Sequence, residues 1–118
     1  MLEHELYTIV ENADNHVCIQ LNPESAIYKA HFPGNPITPG VCQVGMVEES
    51  AEKICGCGLI LREVKMLKFT DILKPSEGEV EVRFDKLEKE ADTVTAKGTV
   101  MSDGRVFTKF SLIFTIEA

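Results

Sequence analysis

The segment from residue 31 to residue 40 restricts what this chain can fold into more than any other stretch. It reads His-Phe-Pro-Gly-Asn-Pro-Ile-Thr-Pro-Gly, with Pro33, Pro36 and Pro39 at every third position. Each proline fixes its own φ and pushes the preceding residue toward extended backbone. Loops this constrained often present functional side chains on a rigid scaffold. The histidine of this loop, His31, is therefore the first candidate for chemistry.

A long helix is predicted directly after this loop, over residues 41–55. Its apolar residues recur at helical spacing and predict one buried stripe: Val41, Val44, Val47, Ala51 and Ile54. Glutamates on the flank and glycines at 56 and 58 indicate a polar side and a helix end.

The start of this helix is a predicted oxyanion site. Pro39 and Gly40 precede it, so the N–H groups of Gly40, Val41 and Cys42 have no partner within the helix. Together with the helix dipole they suit a carbonyl oxygen that gains negative charge. His31 can take or give a proton near neutral pH. This combination suits proton abstraction beside a thioester carbonyl, although a loop histidine is more often structural or solvated.

The rest of the chain predicts strands. Strands are expected over 5–11 and 16–22, joined by a turn at 13–15, and over 62–71, 79–85, 93–101 and 106–116. Broken alternation at Met66–Leu67 predicts a bulge, and Ser102-Asp103-Gly104 predicts a hairpin turn. We therefore expect a single α+β domain over 1–118, with the helix packed on one face of an antiparallel sheet.

Charge and composition exclude several functions. A net charge of −7 argues against nucleic-acid binding, and the apolar runs are too short to span a membrane. The N-terminus lacks the pattern of a signal peptide, so a cytoplasmic location is predicted. The four cysteines lack the spacing of a metal or disulfide framework. We expect free thiols and no metal.

The loop and the helix that follows it resemble the 3-hydroxyacyl-(acyl carrier protein) dehydratases of the FabZ type. The resemblance rests on His-Phe-Pro-Gly-Asn-Pro-Ile-Thr-Pro-Gly-Val at 31–41 and on the segment 65–78, which contains Pro75 and Gly78. It implies a hot-dog fold, in which the sheet wraps around the central helix. It also implies dehydration of a (3R)-3-hydroxyacyl thioester to a trans-2-enoyl thioester, in fatty acid biosynthesis or a related acyl pathway.

The resemblance implies that His31 is the base and that the N–H of Gly40 binds the thioester carbonyl. The family's catalytic carboxylate, fourteen residues after the histidine, falls on Gly45, which has no side chain. Glu49 lies one turn further on, about 40° around the helix. We expect Glu49 to reach into the space left at Gly45 and to supply the acid, directly or through water.

Other interpretations remain open at this stage. Glu48, Glu49 and Glu52 can form an ordinary polar edge, and His31 can handle both protons. The protein can also be a hot-dog thioesterase, with Glu48 or Glu49 activating water. Loss of the carboxylate at Gly45 can instead leave a module that binds acyl thioesters or carrier proteins without turnover.

The resemblance also implies the partners of the site. Predicted substrate contacts come from Phe32, Gly34, Val41 and Gly45, with weaker polar candidates at Thr38 and Gln43. The acyl group is expected on acyl carrier protein or coenzyme A, without a bound cofactor. A run of basic residues is the predicted docking surface for an acidic carrier: Arg62, Lys65, Lys68 and Lys74. The resemblance also implies a homodimer, with a trimer of dimers as the larger alternative.

Overall fold

A curved antiparallel sheet forms most of the domain in the computed structural model, which describes residues 2–117. Its six strands run in the order β1-β2-β4-β5-β6-β3. The strands are β1 (Tyr7–Asn12), β2 (His16–Leu21), β3 (Leu59–Phe69), β4 (Glu79–Glu90), β5 (Thr93–Ser102) and β6 (Arg105–Ile116). The predicted strands are all present, and their bounds differ most at β3 and β4.

The long helix, α2 (Gly40–Cys55), packs against the sheet and contacts β3 and β4. Its buried side chains are Gln43, Met46, Val47, Ser50 and Ala51. The predicted apolar stripe is wrong at its first member, because Val41 is 80% exposed. The helix ends as predicted at Gly56, whose left-handed backbone (φ 71°) closes the last turn.

A short helix, α1 (Ala26–Ala30), precedes the proline-rich loop and was not predicted. Five residues are too few to show a helical repeat in the sequence. The Ser25 side chain caps it by accepting from the N–H of Ile27. Its last turn leads directly into His31, so it sets the position of the loop.

Bulges interrupt the β3–β6 and β4–β5 pairings, and the second of these explains why the predicted β4 ended early at residue 85. The pairing of β4 with β5 shifts between Phe84 and Lys86, and the regular alternation of β4 is lost there. The β3–β6 pairing shifts between Val64 and Met66, which confirms the predicted bulge. A two-residue turn at Asp103–Gly104 joins β5 to β6, and both residues have positive φ, as tight hairpins require.

The two edges of the sheet are β1 and β3. The β3 edge is the longer, with eleven residues against six. It carries Ile60, Val64 and Phe69, each about half exposed. The helices of residues 2–117 include none long and apolar enough to cross a membrane. All four cysteines are free thiols.

Candidate active site

His31 is anchored at the C-terminal end of α1 with its imidazole exposed. Its backbone N–H donates to the carbonyl oxygen of Ile27 at 2.9 Å, and ring Nδ1 lies 3.2 Å from the same oxygen. Because a carbonyl oxygen only accepts, this contact requires a proton on Nδ1. In the neutral ring, Nε2 then carries the free lone pair. His31 is thus held in the tautomer that a base needs.

The proline-rich loop is held by its own backbone hydrogen bonds. Phe32 and Asn35 exchange two of them, at 3.3 and 2.9 Å, around Gly34, whose φ is 78°. The N–H of Ile37 donates to the His31 carbonyl oxygen at 2.8 Å. The peptide bond between His31 and Phe32 is cis. These contacts close the loop on itself and keep His31 close to the chain that leads into α2.

Gly40 opens α2, and its environment explains why the position has no side chain. A Cβ at this position would lie 2.6 Å from Cζ of the Phe69 ring. The N–H groups of Cys42 and Gln43 both donate to the carbonyl oxygen of Pro39, at 3.0 and 3.1 Å. The prediction that the Cys42 N–H is a free donor is therefore wrong. Within residues 2–117 the Gly40 N–H has no backbone acceptor, so it remains the candidate oxyanion donor.

A mainly apolar cavity of about 210 Å³ lies beside Gly40. Its wall includes Ile37, Gly40, Phe69 and Ile72. This cavity places an apolar surface next to the free Gly40 N–H, which suits an acyl thioester.

Buried hydrogen bonds hold two polar residues of the cavity wall, Thr38 and Gln43, in place. Gln43 donates to the carbonyl oxygen of Thr38 at 3.2 Å and accepts from the hydroxyl of Thr108. The hydroxyls of Thr38 and Tyr28 lie 2.8 Å apart. Thr38 and Gln43, predicted as polar contacts near the helix start, are buried and both line this cavity. Thr108 lies far away in sequence, and no local pattern indicated it.

The other predicted substrate contacts do not lie in this cavity. Phe32 and Gly34 line a separate surface pocket of about 370 Å³ beside α1. Phe32 is 53% exposed, so it is not part of the hydrophobic core. Val41 is largely exposed at the start of α2. In the single chain these residues do not form one continuous substrate channel with Gly40.

The space at Gly45 is filled by the N-terminal segment. A Cβ at position 45 would lie 2.7 Å from Cδ1 of Leu2. The expectation that Glu49 reaches into an empty space there is therefore wrong. The Leu2 side chain covers this face of α2 instead, which sequence periodicity does not reveal because the two residues are far apart.

The carboxylate of Glu49 binds three donors of the N-terminal segment. One oxygen accepts from the Leu2 N–H at 2.9 Å. The other accepts from the Glu3 N–H at 3.0 Å and from the hydroxyl of Tyr7 at 2.8 Å. Burial, together with this hydrogen bond, raises the pKa of Tyr7 far above its usual value. A substrate hydroxyl would have to displace these donors, and the acid role of Glu49 stays a prediction.

Glu48, the neighbouring candidate, is partly buried and carries no such set of donors. Burial, and then the nearby charge of Glu52, raises the pKa of its carboxyl. It therefore holds its proton to higher pH than an exposed glutamate does, which suits a proton donor. The four residues of the predicted docking surface are all exposed: Arg62, Lys65 and Lys68 lie on β3, and Lys74 lies after it.

Residues 8–105 match the model of the ApeI-like family, described as ApeI dehydratase. A curated relative, the 3-hydroxyacyl-(acyl carrier protein) dehydratase FabZ of Latilactobacillus sakei subsp. sakei (strain 23K), is 32% identical over 78% of this chain and 70% of that protein. The dehydratase heterocomplex ApeI:P from Xenorhabdus doucetiae superposes with a TM-score of 0.63, at 22% identity over 89% of this chain and 91% of that chain.

Thioesterases share the same architecture. A mutant of a thioesterase enzyme from Staphylococcus aureus subsp. aureus Mu50 superposes with a TM-score of 0.72, at 14% identity over 99% of this chain and 98% of that chain. The α+β hot-dog fold predicted from the sequence is confirmed.

Proposed function

Since this chain belongs to the ApeI-like dehydratase family, we propose that it dehydrates a (3R)-3-hydroxyacyl thioester to the trans-2-enoyl thioester. The observation that carries the proposal is the orientation of His31. Its Nδ1 is bound to the Ile27 carbonyl oxygen, which leaves Nε2 exposed and able to accept a proton. The free N–H of Gly40 beside an apolar cavity supplies the second requirement of the reaction.

The reaction proposed for this site has three linked events. Nε2 of His31 takes a proton from C2 of the acyl group, while the Gly40 N–H stabilises the negative charge on the thioester oxygen. The electrons of the broken C2–H bond form the C2–C3 double bond. The C3–O bond breaks, and the hydroxyl leaves as water after it receives a proton.

The source of that last proton separates two versions of the mechanism. In the version that we favour, the protonated His31 returns its proton to the leaving hydroxyl. The occupied oxygens of Glu49 support this version, because three donors already bind them. In the alternative, Glu49 or Glu48 of a second subunit faces His31 and donates the proton.

A dimer through the β3 edge is part of the proposal. This edge has unpaired backbone groups, and its half-exposed Ile60, Val64 and Phe69 would be covered by a second sheet. A homodimer is the simplest assembly, and a trimer of dimers is a larger one. The ApeI:P structure is a heterocomplex, so a different chain of the same fold is an alternative partner. The molecular mass in solution, measured by light scattering, distinguishes the chain alone from a homodimer.

Acyl carrier protein is the proposed carrier of the substrate, with coenzyme A as the alternative. The exposed basic residues on β3 and at Lys74 support docking of an acidic carrier on a protein with a net charge of −7. The reaction is placed in fatty acid biosynthesis or a related acyl pathway, and a cytoplasmic location stays a prediction.

One assay tests the activity. The purified protein is mixed with a 3-hydroxyacyl-pantetheine thioester while enoyl product and free thiol are both measured. Enoyl product supports the dehydratase. Release of free thiol would instead support a thioesterase, the function of several proteins of this fold. Retained binding of the thioester without either product would support a binding module, and would contradict the proposed reaction.

A further inference from the structure

Three side chains with metal-binding atoms meet on the outer face of the sheet. His16 and Cys18 lie two residues apart on β2, so they share one face, and Glu81 lies opposite Cys18 on β4. One donor atom from each residue lies within 4.8 Å of the other two. We propose that His16, Cys18 and Glu81 form a zinc-binding site that joins β2 to β4.

The orientation of His16 suits a metal ligand. Its Nδ1 lies 3.1 Å from the side-chain oxygen of Asn15, which fits a proton on Nδ1 donated to that oxygen. Nε2 is then the nitrogen with the free lone pair. Metal-binding histidines commonly donate their other ring N–H to an oxygen in this way, which fixes the ring. The side chain of His16 is 23% exposed, so a hydrated ion can reach it.

A fourth donor is close at hand on β1. Glu11, opposite Cys18 in the β1–β2 pairing, has a carboxylate oxygen 3.7 Å from Nε2 of His16. A small rotation of this exposed side chain brings its carboxylate toward an ion held by the other three. One nitrogen, one sulfur and two carboxylate oxygens make the tetrahedral donor set that zinc accepts. Magnesium and calcium prefer oxygen ligands alone, so the thiol and imidazole favour zinc.

The charges around Cys18 also favour a divalent cation. The carboxylate-bearing residues Glu11 and Glu81 are the partners of Cys18 on the two neighbouring strands, β1 and β4. Zinc would bind the thiolate and neutralise this negative charge. Arg83 competes with an ion for Glu81, because its Nε donates to one oxygen of that carboxylate at 2.7 Å. The second oxygen of Glu81 remains for the ion.

The surface beside the three residues leaves room for an ion. Cys18 and Glu81 line a depression of about 340 Å³, together with Met101 of β5. The site lies on β2 and β4, whereas His31 and Gly40 lie at the two ends of the loop between α1 and α2. Zinc at this site is therefore expected to stabilise the pairing of β2 with β4 and to leave the dehydratase reaction unchanged.

The test uses the full chain, freed of metal by a chelator and titrated with zinc chloride by calorimetry. Cobalt chloride serves as the second probe, because a thiolate bound to cobalt gives a charge-transfer absorption that free thiols do not give. We expect one ion per chain, the thiolate absorption, and a rise in Tm with added zinc. Cys18→Ser should lose the absorption and weaken zinc binding at least about tenfold, and His16→Gln should weaken it to a similar degree.

Cys57→Ser is the matched control, since Cys57 is also a free, half-buried thiol. It should retain the stoichiometry, the affinity and the cobalt absorption of the unmodified protein. The proposal is overturned if the unmodified protein binds no zinc, or if Cys18→Ser binds it equally well. It is also overturned if Cys57→Ser, rather than Cys18→Ser, removes the cobalt absorption, because the ion then lies elsewhere. Circular dichroism checks that each variant is folded.

Discussion

Replacing Glu49 by glutamine separates a structural role of this residue from a catalytic one. The carboxylate accepts from Leu2, Glu3 and Tyr7 at 2.8–3.0 Å, with two donors on one oxygen and one on the other. A glutamine that keeps the doubly bound oxygen must turn its NH₂ group toward the N–H of Leu2. One hydrogen bond is then lost, and two donors bind a neutral acceptor instead of a charged one.

The expected loss of stability follows from these contacts. A donor left without a partner costs about 1–3 kcal/mol, and these contacts are only partly buried, so the lower half of that range applies. We expect Glu49→Gln to lower the free energy of unfolding by about 1–2 kcal/mol. For a domain of this size, that is a fall of roughly 4–10 °C in Tm.

The assay combines thermal unfolding with the rate of enoyl formation, measured below the lowered Tm. Glu24→Gln is the matched control, because Glu24 is exposed and should change neither quantity. We expect Glu49→Gln to lose stability but to keep most of the rate. The reasoning is refuted if Tm stays within about 1 °C of the unmodified protein while enoyl formation is abolished, because Glu49 would then be the acid and not the anchor of the N-terminal segment.

Three further substitutions test the packing and the charges. Tyr7→Phe should reduce the loss of folding stability above pH 10. Burial raises the pKa of Tyr7 in the folded protein, so above pH 10 this hydroxyl ionises only in the unfolded chain. Urea unfolding at pH 9 and pH 11 measures the difference. Glu48→Gln should raise Tm at pH 7 but not below about pH 4.5. Burial and the charge of Glu52 raise the pKa of Glu48, so the folded protein loses stability as this carboxyl ionises. Gly98→Ala should lower the free energy of unfolding by about 3 kcal/mol, because a Cβ at Gly98 would collide with the carbonyl oxygen of Arg83.

Local patterns predicted most of the fold. The β5–β6 hairpin follows from Asp103–Gly104, and the helix end follows from Gly56, because each needs a backbone conformation that few residues adopt. The predictions were less accurate where tertiary packing decides. Val41 fits the apolar stripe of α2 by spacing, yet it lies in the first turn of the helix and is exposed.

The candidate site was only half predictable for the same reason. His31 and Gly40 belong to one rigid loop, so a contiguous motif could identify both. The partners of Gly45 and Glu49 come from the N-terminal segment, more than forty residues away. The zinc-binding set shows the same limitation: Cys18 and Glu81 meet only because β2 pairs with β4. No spacing along the chain reveals such a pair.

The central claim is that Nε2 of His31 removes the C2 proton, and one measurement tests it most directly. Enoyl formation from a 3-hydroxyacyl-pantetheine thioester is compared between the unmodified protein, His31→Ala and the exposed control His4→Ala. General-base removal predicts a loss of about 10²–10⁴-fold in His31→Ala, with His4→Ala unchanged and both variants folded. Enoyl formation by folded His31→Ala at the unmodified rate would contradict the claim.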